Sequence, residues 1–335
     1  MKGMGIILMV MGHAGCPLWL RDWIYLFHMP LFFFVTGYLF KENYVDEKRR
    51  YLYRRFQSCY VKFVKYGLLF LVFQNLFYHI GFGSYFDLRQ FLSKAVMIVA
   101  FSGNQSLLGP YWFLIEMFFA SILFLAVVCL YRGCDLRKFF GNDRSGYIAC
   151  LLGALLIAFV ISILPVRIPK ISPKTFLAVS YMIAGLLIRK TDLNIHPVTG
   201  LICWVSLLPV LPFHVGSEED NGMGVRGVHM FIYFSCSLVG VLGAMGIAGR
   251  VDGHTRRILS YIGANSFYVL TFHLACMVVA VNVPGLLAGI PFRIDRFPIH
   301  HTDIGMLWVP LTIIGLAGGL LFAMLINRLK YKMTR

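Results

Sequence analysis

Apolar runs of roughly twenty residues alternate along the chain with short polar clusters, and a run of that length is what a helix needs to cross the hydrocarbon core of a bilayer. The pattern predicts ten membrane helices, over roughly 3–16, 23–40, 60–80, 110–131, 146–164, 174–189, 197–212, 228–248, 260–282 and 305–327. The sixth and seventh are short, and the first is shorter than a comfortable span. Between the third and fourth, "FDLRQFLSKAVMIVAF" interrupts its apolar positions with Arg89 and Lys94 and reads as a helix lying at the interface or re-entering it. "HVGSEEDNGMGVRG" is acidic and Gly-rich, the signature of a surface loop. "PGLLAGIPFRIDRFPIHHTD" mixes Pro with Arg and His and is expected to cap the outer face. Gly315 and Gly319 form a GxxxG pair that reads as close helix packing. No internal repeat or low-complexity tract is visible. The expected fold is an all-α polytopic membrane protein, one membrane domain over 1–335 with both termini cytoplasmic.

Composition agrees with that reading. Of 335 residues, 59% are hydrophobic and 14% charged, against about 25% charged in an ordinary soluble domain, and the mean hydropathy is +0.73. The net charge of +16 would suit nucleic acid if it were concentrated on a soluble domain, but its distribution excludes that partner. Twenty of the 31 Lys and Arg residues fall at position 2 and in clusters at 41–55, 132–144, 189–190, 250–257 and 328–335, all on one side of the predicted spans. Nine fall on the other side, and Lys62 and Lys65 open the third helix. Acidic residues divide evenly, so the bias lies in positive charge alone, which is what orients membrane proteins; it also attracts anionic membrane lipid. The eight cysteines contain no CxxC pair and are expected to pack as small hydrophobes. No small-x-small site closes the first apolar run, so a cleaved signal peptide is not expected.

Ionisable groups within hydrocarbon cost several kcal/mol unless they face a partner or a wet cavity, so they mark candidate chemistry. Lys2 and His13 stand eleven residues apart in "KGMGIILMVMGH" with nothing ionisable between them. On a helix that separation is about 16 Å and about three full turns, so both lie on one face. Two readings stand side by side: Lys2 marks topology and His13 bonds a neighbouring carbonyl, or the two grip opposite ends of a long ligand with phosphates at one end and a reactive group at the other. His28, Glu116 and His273 fall on three further helices at overlapping depths. Histidine suits proton transfer near neutral pH. Zinc is not expected, because no membrane-helix pair has the i, i+3 or i, i+4 spacing of zinc ligands and His300 and His301 are adjacent in a loop.

Four segments resemble the membrane-bound acyltransferase-3 family, and within it the fucose 4-O-acetylase-like branch. These are "KGMGIILMVMGH", "FHMPLFFFVTGYLF", "GPYWFLIEMFF" and "YIGANSFYVLTFH", in family order along the whole chain. The resemblance implies transfer of an acyl group, usually acetyl from acetyl-CoA, to a hydroxyl of a cell-envelope carbohydrate or lipid-linked sugar. It implies Lys2 as the basic residue of the donor site and His13 as the essential histidine, with Phe32, Phe33, Phe34, Thr36 and Gly37 as the second-helix motif. The aromatics would line the cavity and Gly37 would let helices approach. Trp112 and Glu116 carry over from the third segment and His273 from the fourth. Family members usually carry more chain before the basic residue, whereas Met1 directly precedes Lys2 here.

The expected activity is therefore an O-acyltransferase of the plasma membrane, with His13 as general base, His28 and Glu116 as further catalytic candidates, and His28, Glu116 or His273 orienting His13 or binding the sugar. Phe32, Phe33, Phe34, Trp112 and His273 are expected at the substrate. No metal is expected. A covalent acyl-histidine relay is the variant mechanism. A proton-coupled transporter of a sugar or other small polar solute is the competing function, disfavoured because no matching pair of Gly/Pro-broken helices is visible. A sensory or scaffolding protein would need a signalling domain or long tail, and neither is present.

Overall fold

The computed structural model describes residues 1–79, 84–102, 106–134, 136–164, 168–215, 223–287 and 305–333. Fifteen α-helices make up almost all of it, as expected where lipid offers the backbone no hydrogen-bond partner. They are α1 Lys2–His13, α2 Leu18–Tyr38, α3 Lys48–Arg55, α4 Lys62–Val72, α5 Gln74–His79, α6 Leu88–Val99, α7 Trp112–Gly133 and α8 Leu136–Phe140. The series continues with α9 Asp143–Ile163, α10 Pro173–Lys190, α11 Pro197–Val205, α12 His229–Arg250, α13 Gly253–Ala264, α14 Ser266–Leu287 and α15 Trp308–Met333. Among the described residues the β-type pairing is one isolated bridge, Ile168 to Ile171.

Among the described residues, five helical runs are long and apolar enough to cross a membrane: Lys48–Leu76, Leu107–Gly133, Asp143–Ile163, His229–Arg250 and Gly305–Lys332. The α13–α14 pair adds a sixth if it is one span bent by 78°. α2, with 21 residues, and α10, with 18, are long enough but more polar. Their place in the bundle explains this. α2 packs against α1, α10 and α12, and α10 also packs against α7 and α9, so most of their surface is shielded from lipid and polar positions such as Asp22, His28 and Ser180 are buried against protein. By contrast only 28% of the most apolar window of α9 or α15 is buried inside the molecule.

Several sequence expectations are refined. The helix expected to open at residue 60 begins at Lys48 and runs through a π-helical turn, Phe56–Val61. The span expected over 260–282 is broken at Asn265, where α13 meets α14. The seventh span is the short α11 followed by a 3₁₀ turn, Leu208–Phe213. The interfacial reading of residues 86–101 corresponds to α6, which opens on an Asp87–Gln90 capping box and exposes Leu88, Leu92, Val96 and Val99. Gly315 and Gly319 do mark close packing, within the chain: Gly315 meets Met277 and Val10, and Gly319 meets Val269. Most of the two loop readings, over 216–222 and 288–304, lies outside the described residues.

The basic clusters gather at one end of the bundle. Glu42, after α2, pairs with Arg132 of α7 at 2.5 Å and with Lys190 of α10 at 2.8 Å, and Lys190 also reaches Asp143 of α9 at 3.2 Å. Lys190 and Arg132 hold the Glu42 carboxyl below its ordinary range. These pairs are solvent-exposed, so they contribute little to stability; they show that the clusters at 41–55, 132–144 and 189–190 share one face.

Candidate active site

α1 lies inside the bundle, against α2, α13, α14 and α15. Its two ends carry different chemistry. At the Lys2 end is a pocket of about 370 Å³ lined by Met1, Lys2, Gly3, Met4, Ala248, Val251, Arg256, Leu259, Ser260, Gly263 and Ala264. Two cations and a hydroxyl thus sit among small and apolar groups. The Arg55 guanidinium is close enough to Lys2 to repel it. Among the described residues neither Lys2 nor Arg256 forms a salt bridge. Cations held together this way favour an anion.

His13, at the other end of α1, is half-buried in a row of aromatic rings. The His273 ring of α14 lies 5.5 Å away, tilted by 42°, and the Tyr25 ring of α2 lies 6.3 Å away, edge-on. Tyr25 in turn lies 5.0 Å from the ring of His28. Gly12 permits this approach, because a Cβ there would sit 2.7 Å from the Tyr25 ring. The imidazoles are tethered to their own helices. The Nδ1 of His28 lies 2.9 Å from the Ile24 carbonyl, and that of His273 lies 2.9 and 3.0 Å from the carbonyls of Val269 and Leu270. Carbonyl oxygens only accept, so both rings donate from Nδ1 and their Nε2 atoms carry the remaining valence.

Pro30 shapes the wall formed by α2. Proline has no N–H to give the carbonyl four residues earlier, and that carbonyl, of Leu26, accepts instead from the Ser237 hydroxyl of α12. Tyr233 donates to the neighbouring Tyr25 carbonyl at 3.2 Å. The turn carrying Tyr25 and His28, where Pro30 leaves the Leu26 carbonyl without its backbone donor, is therefore pinned by α12.

Glu116 belongs to a different group. Its two carboxylate oxygens accept from Ser172 at 2.9 Å and Thr175 at 2.7 Å, at the start of α10. One turn away, the Lys174 ammonium lies 5.3 Å from the Trp112 ring. Trp112 and Glu116 thus join α7 to α10, and among the described residues Glu116 makes no hydrogen bond to a histidine. Thr175 is fully buried. Glu116→Ala, by removing its partner, is expected to cost about 1–3 kcal/mol, read as a lowered Tm in detergent with Glu116→Gln closer to wild type; an unchanged Tm for the alanine variant would show that the contact contributes nothing.

Phe32 and Phe33 pack edge-on against Phe113, at 5.6 and 5.2 Å, and Phe34 stacks with Tyr38. Phe33 and Phe34 are fully buried, and among the described residues none of the three makes ring contact with a histidine. Thr36 bonds back to the Phe32 carbonyl. Sequence reasoning missed Tyr25, Arg256, Ser260 and Ser237. The one available signal was Pro30, which obliges some neighbouring helix to supply a donor for Leu26 but does not say which.

No curated protein and no solved structure matches the chain significantly. A family model does, described as an acyltransferase domain of the acyltransferase-3 type, over residues 1–328. With almost its whole length matched, and with a bundle of apolar helices around the row of histidines, the chain belongs to the acyltransferase-3 family and is a membrane acyltransferase.

Proposed function

We propose that this enzyme moves an acyl group, acetyl in the first instance, from acyl-CoA to a hydroxyl of a cell-envelope carbohydrate or a lipid-linked sugar in the plasma membrane. The observation that carries the reading is the pocket at the foot of α1, where Lys2, Arg256 and Ser260 converge. These are groups suited to the phosphates of the donor, and His13 stands eleven residues, about 16 Å, further along the same helix. The concentration of basic residues at the Lys2 end supports a cytoplasmic position for that end, the compartment that holds acyl-CoA.

In this reading the donor's phosphates rest at Lys2 and Arg256 and its thioester lies at His13. His13 removes the acceptor's hydroxyl proton as the oxygen–carbon bond forms and the carbon–sulfur bond breaks, then returns that proton to the departing thiolate. The protein's part is to hold donor and acceptor together in a site from which Tyr25, His28 and His273 exclude bulk water.

The test is binding of radiolabelled acetyl-CoA to the purified protein in detergent. Lys2→Ala and Arg256→Ala are each expected to weaken binding by roughly tenfold, the scale of one hydrogen bond to a charged group, and the loss should shrink at high salt. Unchanged affinity in both variants would remove the donor from this pocket.

A further inference from the structure

His273 is fully buried. Its Nδ1 hydrogen is shared between the Val269 and Leu270 carbonyls, at 2.9 and 3.0 Å, so a neutral ring must present a bare lone pair at Nε2. That Nε2 is buried and has no hydrogen-bond partner among the described residues. An unused acceptor costs stability in a core, which makes it a feature in need of an explanation.

The adjacent ring supplies one. The His13 centroid is 5.5 Å from that of His273, and two imidazoles joined by an N–H···N bond have centroids about 5 Å apart, given a nitrogen separation near 3 Å. A small rotation of His13 would close the gap. His273 itself is held in place. The next residue but one before it, Thr271, pairs with the Tyr111 hydroxyl at 2.8 Å and with the Phe267 carbonyl, and α14 is packed against α15. His28 has the same Nδ1 tether, but its ring contacts Tyr25. Among the described residues, the titratable side chains in the ring row beside the pair are Tyr25 and His28 on α2, and Tyr111, before α7, bonds Thr271 of α14; none of these is a carboxylate.

We propose that His273 is a positioning residue whose Nε2 accepts a hydrogen bond from protonated His13, stabilising the imidazolium formed when His13 takes the acceptor's hydroxyl proton. The inference rests on the reading of His13 as general base. No proton passes to His273. The hydroxyl proton goes to His13 and then to the thiolate, while His273 keeps its Nδ1 hydrogen throughout. A neutral second imidazole does here what a carboxylate does in hydrolase triads, without placing a fixed negative charge in the membrane.

The experiment is the pH dependence of acetyl transfer, or of acceptor-independent acetyl-CoA hydrolysis, in wild type, His273→Leu and His273→Gln. Losing an acceptor that favours protonated His13 lowers the pKa of His13. The acidic limb of the leucine variant is therefore expected about one unit lower, with kcat down roughly ten- to a hundredfold and the KM for acetyl-CoA unchanged. Glutamine, whose amide oxygen can replace Nε2, should recover part of both effects. An unmoved acidic limb, or a change in KM alone, overturns the proposal. Nitrogen NMR of the wild type, labelled at histidine, gives an answer that needs no variant: His273 is expected to keep its Nδ1–H tautomer across the titration of His13, and an Nε2–H tautomer overturns the proposal. If His13→Ala retains full activity, it is the general-base reading that fails; if His13→Ala is inactive and the His273 limb is unmoved, only the role of His273 fails.

Discussion

His13→Ala is expected to lower kcat by about 10² to 10⁴-fold, the range spanned by a positioned general base, while acetyl-CoA still binds. The separation follows from the geometry. The pocket that would hold the donor's phosphates is lined by the first residues of α1 together with α13 and the end of α12, and His13 is not among its walls. Truncating the imidazole removes the base and its contacts with Tyr25 and His273 but leaves the Lys2 pocket untouched. Stopped-time assays with radiolabelled donor, alongside equilibrium binding, give the two numbers separately. Wild-type turnover in the variant would make the opening helix an anchor and void the site assignment. Equal loss of binding and turnover would mean that His13 acts by holding the donor.

The second large effect is structural. Gly37→Ala should leave little folded protein, because α2 and α10 cross backbone to backbone at this point. A Cβ on Gly37 would collide with the Met182 carbonyl oxygen, and one on Gly185 with the Phe34 carbonyl oxygen. A flexible side chain can swing aside, but a helical carbonyl cannot, so the two central helices would have to move apart. Overpacking of side chains costs about 1–3 kcal/mol, and separating two backbones also loses the dispersion and Cα–H···O contacts that hold membrane helices together. The measurement is yield and Tm of monodisperse protein in detergent for Gly37→Ala, Gly185→Ala and an alanine at Gly153, around which nothing lies within 4 Å. The Gly153 variant should match wild type; a Gly37 variant as stable as that one would show that the crossing tolerates a wider gap.

Gly37 also shows how far the sequence could be read. It stood in a motif whose resemblance implied close helix approach, and the structure supplies the partner, Met182 on α10. The aromatic motif before it was expected at the substrate cavity; Phe33 and Phe34 pack against Phe113 and Tyr38, and an aromatic run has the same composition whether it faces a ligand or a neighbouring helix. Glu116 was legible as a carboxylate within a membrane helix, because charge in an apolar run is conspicuous. Its attachment to Ser172 and Thr175 was not, because those hydroxyls lie 56 and 59 residues further along. Arg256 and Ser260 were hidden for a related reason. They sat in what read as one more basic cluster, and only the bend between α13 and α14 lays that cluster against the first turn of α1.

The sequence by itself determined that this is a bundle of apolar helices with its cations gathered at one end, and that Lys2 and His13 lie on one face of one helix. Apolar run length, charge bias and helical periodicity are local quantities that a chain carries in its residue order. Only the tertiary structure decided that His273 and Tyr25 border His13, that Glu116 joins α7 to α10, and that the bundle centres on its two more polar long helices, α2 and α10. Those facts depend on which helix faces span residues far apart in the chain, and every apolar helix offers several faces that hydropathy alone cannot rank.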